Sequence, residues 1–325
     1  MGSIVPVKKA IVLLNLGGPS SFEEIRPFLF NLFYDPAMVT LPGPLRYLLA
    51  QVISRGRLKK ARIIYGHLGG GSPILKNTKA QAAALEEELG DSSRVFIAMR
   101  YSSPMIQETV EEVKAYNPDE ILLLPLYPQY STTTTQSSFK EWKKASQNLT
   151  IPTRYIWSYP TEDGFLEAIK ELTLTKYREA KIVGNPRVLL TAHGLPEKIV
   201  KKGDPYQHHV EQTAKKLIEK LGVNSLDSVL CYQSRVGPLK WITPLIEDEI
   251  KKAAQEKRPL VVVPISFVSE HSETLVELDI IYRKLALQEG CPSYHRVETV
   301  QTHPSFIKGL AHLVKGETRC FLSII

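Results

Sequence analysis

The residues best able to do chemistry fall in two short segments. In Leu189-Leu190-Thr191-Ala192-His193-Gly194-Leu195-Pro196, a histidine ends an apolar run and the chain turns at Gly194 and Pro196. An imidazole so placed can accept a proton near neutral pH or bind a metal ion. A histidine at a strand end also serves as a purely structural residue, and the second segment shifts that balance. There, Ser269-Glu270-His271-Ser272-Glu273-Thr274-Leu275-Val276-Glu277-Leu278-Asp279 gathers carboxylates around one histidine. On a helix, Glu273 and Glu277 share a face, where two carboxylates repel unless something cationic passes between them. Carboxylate and imidazole donors suit a borderline divalent metal such as ferrous iron. An N-cap at Ser269 with acidic first-turn residues explains Glu270 and Glu273 but leaves His271 without a role.

Such groups need rigid supports, and the chain supplies them in alternation. Short apolar runs occur at 10–16, 95–99, 120–126, 187–192, 228–231 and 260–267. Runs too short for helices and apolar on both faces suit central strands of a parallel sheet covered by helices. Amphipathic stretches lie between or after them at 78–89, 105–116, 212–221 and 244–257. The expected fold is therefore α/β and doubly wound. The runs also form two parallel sets. Ile11 to Pro19 echoes Val188 to Pro196, Arg100-Tyr101-Ser102 corresponds to Tyr232-Gln233-Ser234-Arg235, and Ile121 to Pro125 echoes Leu260 to Pro264. Two similar Rossmann-like domains follow, with a boundary within 150–185, placed at 1–160 and 161–325. A ligand cleft is expected between them, outside the carboxyl ends of the strands.

Composition bounds the class. A chain of 325 residues with 43% hydrophobic and 23% charged residues is long enough for two cored domains and lacks any apolar run of spanning length. Cysteines 231, 291 and 320 form no CxxC pair, which points to a reducing, cytoplasmic setting, as does the lack of a cleavable leader in the first residues. The net charge of +7 is local. Between Pro36 and Leu85 there is no Asp or Glu, while Arg46, Arg55, Arg57, Lys59, Lys60, Arg62, Lys76 and Lys79 exceed the whole excess. This argues for one surface facing an acidic partner and against a nucleic-acid-binding protein. Leu45, Leu48, Leu49, Val52 and Ile53 recur at helical spacing just before the densest cations, as on a surface helix docked through that stripe. Gly69-Gly70-Gly71-Ser72-Pro73 lacks the spacing of a phosphate loop and reads as a turn. His208 and His209 are expected at the surface, and Trp241 is the tryptophan best placed to stack on a ring.

Taken in order, Leu14-Asn15-Leu16-Gly17-Gly18-Pro19, Gly69 to Ile74, Arg100-Tyr101, Pro128-Gln129-Tyr130-Ser131, the His193 segment, Tyr232 to Pro238 and Ser269 to Leu275 closely resemble the ferrochelatase family. The resemblance implies an enzyme, a lyase that inserts ferrous iron into protoporphyrin in haem biosynthesis, with the porphyrin held between two Rossmann-like halves. It gives His193 and Glu273 as the metal residues. His271, Arg100 and Tyr101 join them in catalysis, and Glu270 and Glu277 line an acidic path. Leu16, Arg100, Tyr101, Ser131, Gln233, Ser234 and Trp241 are implied porphyrin contacts. Residues 22–62 are given as a lip over the cleft, and 45–62 as a point of peripheral contact with a membrane, where an apolar stripe beside cations suits an anionic bilayer.

There are departures from the family pattern. Ile281 stands where a third glutamate usually continues the row, Leu16 where some relatives carry Met, and Gln136 replaces a usual Gly. Only Cys320 lies near the C-terminus, so no iron–sulfur cluster and no resident cofactor are expected, iron being a substrate. Coproporphyrin in place of protoporphyrin, a chelatase for cobalt or nickel, and a non-catalytic metal or haem carrier are the alternatives. The Asn15 to Pro19 loop and the long lip favour protoporphyrin.

Overall fold

The computed structural model describes residues 7–91 and 93–316. They divide into two compact units, one of residues up to Tyr159 with 310–316, the other of Pro160–Gly309. Each is built on a four-stranded, wholly parallel sheet.

In the first unit β1 (Lys9–Asn15), β2 (Ser93–Met99), β3 (Glu120–Pro125) and β4 (Thr153–Tyr155) lie in the order β2-β1-β3-β4. Ala10 through Leu14 of β1 are fully buried, as strands covered on both faces must be. Against one face pack Ile106, Val110 and Val113 of α4 (Ile106–Tyr116) and Phe139 and Trp142 of α5 (Thr135–Ala145). Helix α1 (Ile25–Tyr34), the long α2 (Gly43–Gly66) and α3 (Ile74–Leu89) complete the unit. Helix α2 docks through Ala50, Ser54, Ala61 and Tyr65. The stripe expected to be its docking face instead lies outward, with Leu48 61% and Val52 67% exposed. Small residues on the opposite side let α2 approach closely, so the leucine stripe is left to solvent.

The second unit repeats the plan. Strands β5 (Arg187–His193), β6 (Ser228–Gln233), β7 (Leu260–Pro264) and β8 (Tyr294–Arg296) lie in the order β6-β5-β7-β8. Around them run α6 (Asp163–Lys181), the short α7 (Glu197–Lys201), α8 (Tyr206–Leu221) and α9 (Ile246–Gln255). From Glu273 to Tyr282 the chain winds as a π-helix, continued by α10 (Arg283–Glu289), and α11 (Pro304–Lys315) follows. A π-helix of this length is rare, since its hydrogen bonds run from i to i+5 and such windings usually span a single turn at a functional site. Leu278 and Tyr282 anchor it on a core shared with Leu189, Cys231, Ile246, Ile250 and Val262. Strands β4 and β8, three residues each, escape a search for apolar runs because such short edges carry no run. Strand β7 ends at Pro264, earlier than the apolar run to Phe267, because the chain turns there.

Candidate active site

Parallel pairing brings the carboxyl ends of β5 and β6 together. His193, last in β5, is in register with Gln233, last in β6. Gly194 follows with no room for a side chain: a Cβ there meets the Trp241 ring at 3.1 Å and the Gln233 carbonyl at 3.2 Å. The turn holds the His193 and Trp241 rings 6.1 Å apart, and the Trp241 Nε1 donates to the Val236 carbonyl.

Across from His193 stands the first residue of the π-helix. His193 Nε2 lies 3.8 Å from Glu273 Oε1, and His271 Nε2 lies 3.5 Å from Glu273 Oε2, so one carboxylate is bracketed by two imidazoles. The other ring nitrogens fix the tautomers. His193 Nδ1 is 2.6 Å from the Gly194 carbonyl and His271 Nδ1 is 3.1 Å from that of Ser269. A carbonyl only accepts, so each Nδ1 carries a hydrogen and Nε2 is the nitrogen each ring turns toward the carboxylate. Each Nε2 can hold a proton against the carboxylate or give its lone pair to a metal ion in the proton's place. Burial acts to raise the Glu273 pKa, but the charges of His193 and His271 outweigh it and bring it down to about 2. The site therefore keeps its carboxylate ionised. Donor separations of 3.5–3.8 Å are too long for strong hydrogen bonds and match two ligands of one ion with bonds of about 2 Å. Among the described residues no three His, Cys, Asp or Glu side chains form a complete metal-holding group.

A polar lattice from β6 supports the pair. Thr191 Oγ1 donates to Gln233 Oε1 at 3.1 Å, which aims Gln233 Nε2 at the Glu273 carbonyl (3.0 Å) and Glu277 Oε2 (3.3 Å). Ser234 Oγ donates to Glu277 Oε2 at 2.5 Å from a left-handed backbone with φ of 67°, a conformation that costs a residue with a side chain of order 1–3 kcal/mol. Tyr282 reaches Glu277 Oε1 at 3.0 Å. Burial, then the nearby Glu273, pushes the Glu277 carboxyl above its usual range.

Other residues singled out from the sequence are engaged elsewhere. Glu270 does not turn its carboxylate toward the His193–Glu273 pair. It accepts from Arg296 Nη1 and from the backbone amide of Thr299, while Arg296 grips Asp279 through Nε and Nη2. Burial acts to raise Glu270, and Arg296 with its hydrogen bonds holds it below the usual carboxylate range. Glu270 is thus the buried half of a strut between β8 and the π-helix.

In the first unit Arg100 and Tyr101 are both engaged with Asp35. Arg100 Nη2 is 2.8 Å from Asp35 Oδ2, its Nε donates to Ser137 Oγ, and the Tyr101 hydroxyl donates to the same Asp35 oxygen at 2.7 Å. Tyr101 is only 1% exposed, and burial followed by Asp35 raises its pKa well above the ordinary phenol. Leu16 is half-buried against the α1–α2 cluster, and Ser131 is buried in its own loop with Thr133. Asp35, Arg296, Tyr282 and Glu247 were not singled out from the sequence. Each becomes visible only once separate elements meet. Cys231 and Cys291 are buried free thiols, and Cys320 lies outside the described residues.

Comparison with known proteins bears on the family and the fold. The family model described as Ferrochelatase matches residues 8–318. A ferrochelatase of Wolbachia sp. subsp. Drosophila simulans is 51% identical over 94% of this chain and 98% of its own length. One from Caulobacter vibrioides is 49% identical over 95% and 90%. Among solved structures, SirB from Bacillus subtilis with Fe3+ has a TM-score of 0.58 at 13% identity, covering 96% of each chain. CbiX, described as the terminal enzyme of siroheme biosynthesis in denitrifying bacteria, reaches 0.53 at 15% identity over 96% of this chain and 99% of its own. At such identities these two speak for the fold alone, the two parallel-sheet α/β arrangement of chelatases. On the family match and the identity to its members, this chain belongs to the ferrochelatase family.

Proposed function

We propose that this protein is a lyase that inserts ferrous iron into protoporphyrin to form haem, and that the His193–Glu273 pair handles the metal and the displaced protons. One observation carries the assignment: the Nε2 atoms of two imidazoles converge on one carboxylate, a donor set that suits a proton or a metal ion.

Insertion exchanges two pyrrole N–H protons for one metal ion. The nitrogen lone pairs of a flat porphyrin lie in the ring plane, so the ring must bend, lose its protons and meet an iron stripped of water. Binding a bent ring better than a flat one lowers that barrier. His193, with Nδ1 already protonated, has its basic Nε2 free to accept a pyrrole proton. Glu273 stabilises the imidazolium so formed and, with His271, replaces water on the incoming iron. Glu277, with its raised pKa, receives protons from the pair. An incomplete ligand set suits iron as a substrate in transit, since the porphyrin supplies the remaining donors. Trp241, beside His193, offers a ring wall for the macrocycle, and Gln233 and Ser234 act by holding the π-helix in place. Arg100 and Tyr101, implied as catalytic and porphyrin contacts, are held in place by Asp35.

The exposed Leu45, Leu48, Leu49 and Val52 beside Arg55 to Arg62 support peripheral docking on an anionic membrane from a cytoplasmic location. No described helix is long and apolar enough to cross a membrane. Nucleic acid is not a partner in this reading, and no resident cofactor or iron–sulfur cluster takes part. Anaerobic incubation with ferrous iron and protoporphyrin or coproporphyrin, followed by absorption spectra, tests the assignment. The expected result is faster turnover of protoporphyrin. Preferential use of coproporphyrin, or of cobalt or nickel with another tetrapyrrole, overturns it.

A further inference from the structure

One carboxylate in the first unit gathers three stretches of chain. Asp35 closes α1 and is 4% exposed. Its Oδ2 accepts from Arg100 Nη2 at 2.8 Å, from the Tyr101 hydroxyl at 2.7 Å and from the Ser137 hydroxyl of α5. Its Oδ1 accepts from the Ala37 amide at 2.7 Å, and its backbone carbonyl from the amides of Met38 and Val39, so the same residue shapes the turn that leads toward α2. A buried carboxylate is stable when every partner is a donor and one of them is charged, and both conditions hold here. The Tyr101 ring in turn packs among Ile25, Phe28 and Leu29 of α1 and Ala61 and Tyr65 of α2, and Asn31 of α1 donates to the Tyr101 carbonyl at 3.2 Å. Helices α1 and α2 are thus seated on residues 100 and 101, just beyond β2.

The guanidinium is held by two of its three nitrogens. Nη2 is committed to Asp35, with Glu141 Oε2 3.8 Å away, and Nε donates to Ser137 Oγ at 2.8 Å. The backbone amide of Arg100 is tied to the Asn15 carbonyl at 2.9 Å. Among the described residues no contact engages Nη1, and the side chain stays 13% exposed. The N–H groups of arginine lie in one plane, so fixing Nε and Nη2 fixes where Nη1 points. A planar cation with one nitrogen uncommitted is a carboxylate receptor, and a porphyrin carries carboxylates at its rim.

We propose that Asp35 is a positioning residue for the substrate: through Arg100 it holds Nη1 open to a carboxylate of the porphyrin, and through Tyr101 and the turn after α1 it keeps the segment 22–62 seated on the same support. Asp35 itself touches no substrate. Its buried charge fixes the direction of a cation that does, and it joins that cation to the two helices packed on Tyr101. A rim carboxylate is bound alike before and during metal insertion, so the contact contributes to affinity and leaves the chemical step alone. The inference rests on the reading that a porphyrin bearing free carboxylates is the substrate.

The test uses the full chain and two probes in the same detergent, protoporphyrin and its dimethyl ester, with binding read by fluorescence quenching, anaerobic insertion followed in parallel and thermal midpoints as a check on folding. Asp35→Asn removes the charge at nearly constant volume. It is expected to weaken binding of the free acid about tenfold and to raise its KM alike, with kcat within about threefold and binding of the ester changed less than twofold. Adding Arg100→Met to Asp35→Asn is expected to abolish the preference for acid over ester. Where Asp35→Asn fails to fold, Ser137→Ala decides the matter, since it frees Nε and leaves the ion pair in place; a rise of about threefold in Kd for the acid alone is expected. Unchanged affinity for the acid in the folded variant overturns the proposal, as does equal weakening of acid and ester, which marks a purely structural ion pair, or an acid preference that survives the double variant. A wild type that binds the porphyrin but inserts no iron defeats the underlying reading, and the acid and ester comparison still decides the role of Asp35; no binding of either probe defeats both.

Discussion

Replacing Arg296 with methionine removes the cation that ties β8 to the π-helix. Arg296 is 8% exposed in its side chain and Glu270 9%, with Arg296 2.6 Å from Asp279 on its other side. Breaking a buried ion pair by deleting one partner costs about 3–5 kcal/mol, because the remaining charge stays buried without compensation. Methionine retains most of the packing volume, so the loss is mainly electrostatic. For a unit of this size the stability change corresponds to a fall in Tm of about 6–20 °C. Its pH dependence identifies the cause. In the wild type the Glu270 carboxyl is depressed, so its stabilisation is complete above the ordinary carboxyl range and fades as pH falls through the folded pKa. In the variant the hydrogen bonds from Thr274 and the Thr299 amide remain but the cation is gone, so burial penalises the ionised form more than in the wild type. The deficit relative to wild type is therefore largest near pH 7 and narrows toward about pH 4. Circular dichroism melts of both proteins across that range measure it. A Tm within about 2 °C of wild type at every pH refutes the strut.

Three other outcomes follow from the same structure. Gly309→Ala places a Cβ 2.2 Å from the buried Glu162 carboxylate, which caps α6 through Phe165; a loss of about 1–3 kcal/mol in chemical denaturation is expected. Tyr101→Phe removes only the hydroxyl bond to Asp35, and is expected to lower Tm slightly while keeping the insertion rate within about threefold. The double variant Leu48→Ser and Val52→Ser takes two outward apolar side chains off α2; co-sedimentation with anionic vesicles is expected to drop several-fold with insertion into soluble porphyrin little changed, and unchanged sedimentation contradicts the docking reading.

The central strands were legible because burial on both faces leaves continuous apolar runs, as in Ala10 to Leu14 and Val261 to Val263. The π-winding was not legible, since the same spacing of Glu273 and Glu277 fits an α-helix. Helix α2 shows the limit of periodicity: an apolar stripe says that a face is unlike the rest but not whether protein, membrane or ligand covers it. Of the two acidic-segment neighbours of Glu273, His271 joins the pair while Glu270 is claimed by Arg296, which lies far along the chain. Asp35 with Arg100, and Glu247 with Tyr282, depend on contacts between distant elements and leave no mark in local spacing.

The most direct test of the account measures iron insertion by His193→Ala together with porphyrin binding by fluorescence quenching. The account predicts a loss of kcat of about a hundredfold or more with porphyrin affinity within a few-fold of wild type, since the imidazole is needed for the proton and not for the ring. A variant that inserts ferrous iron at a tenth of the wild-type rate or faster, with the ring bound normally, contradicts the central role given to the His193–Glu273 pair.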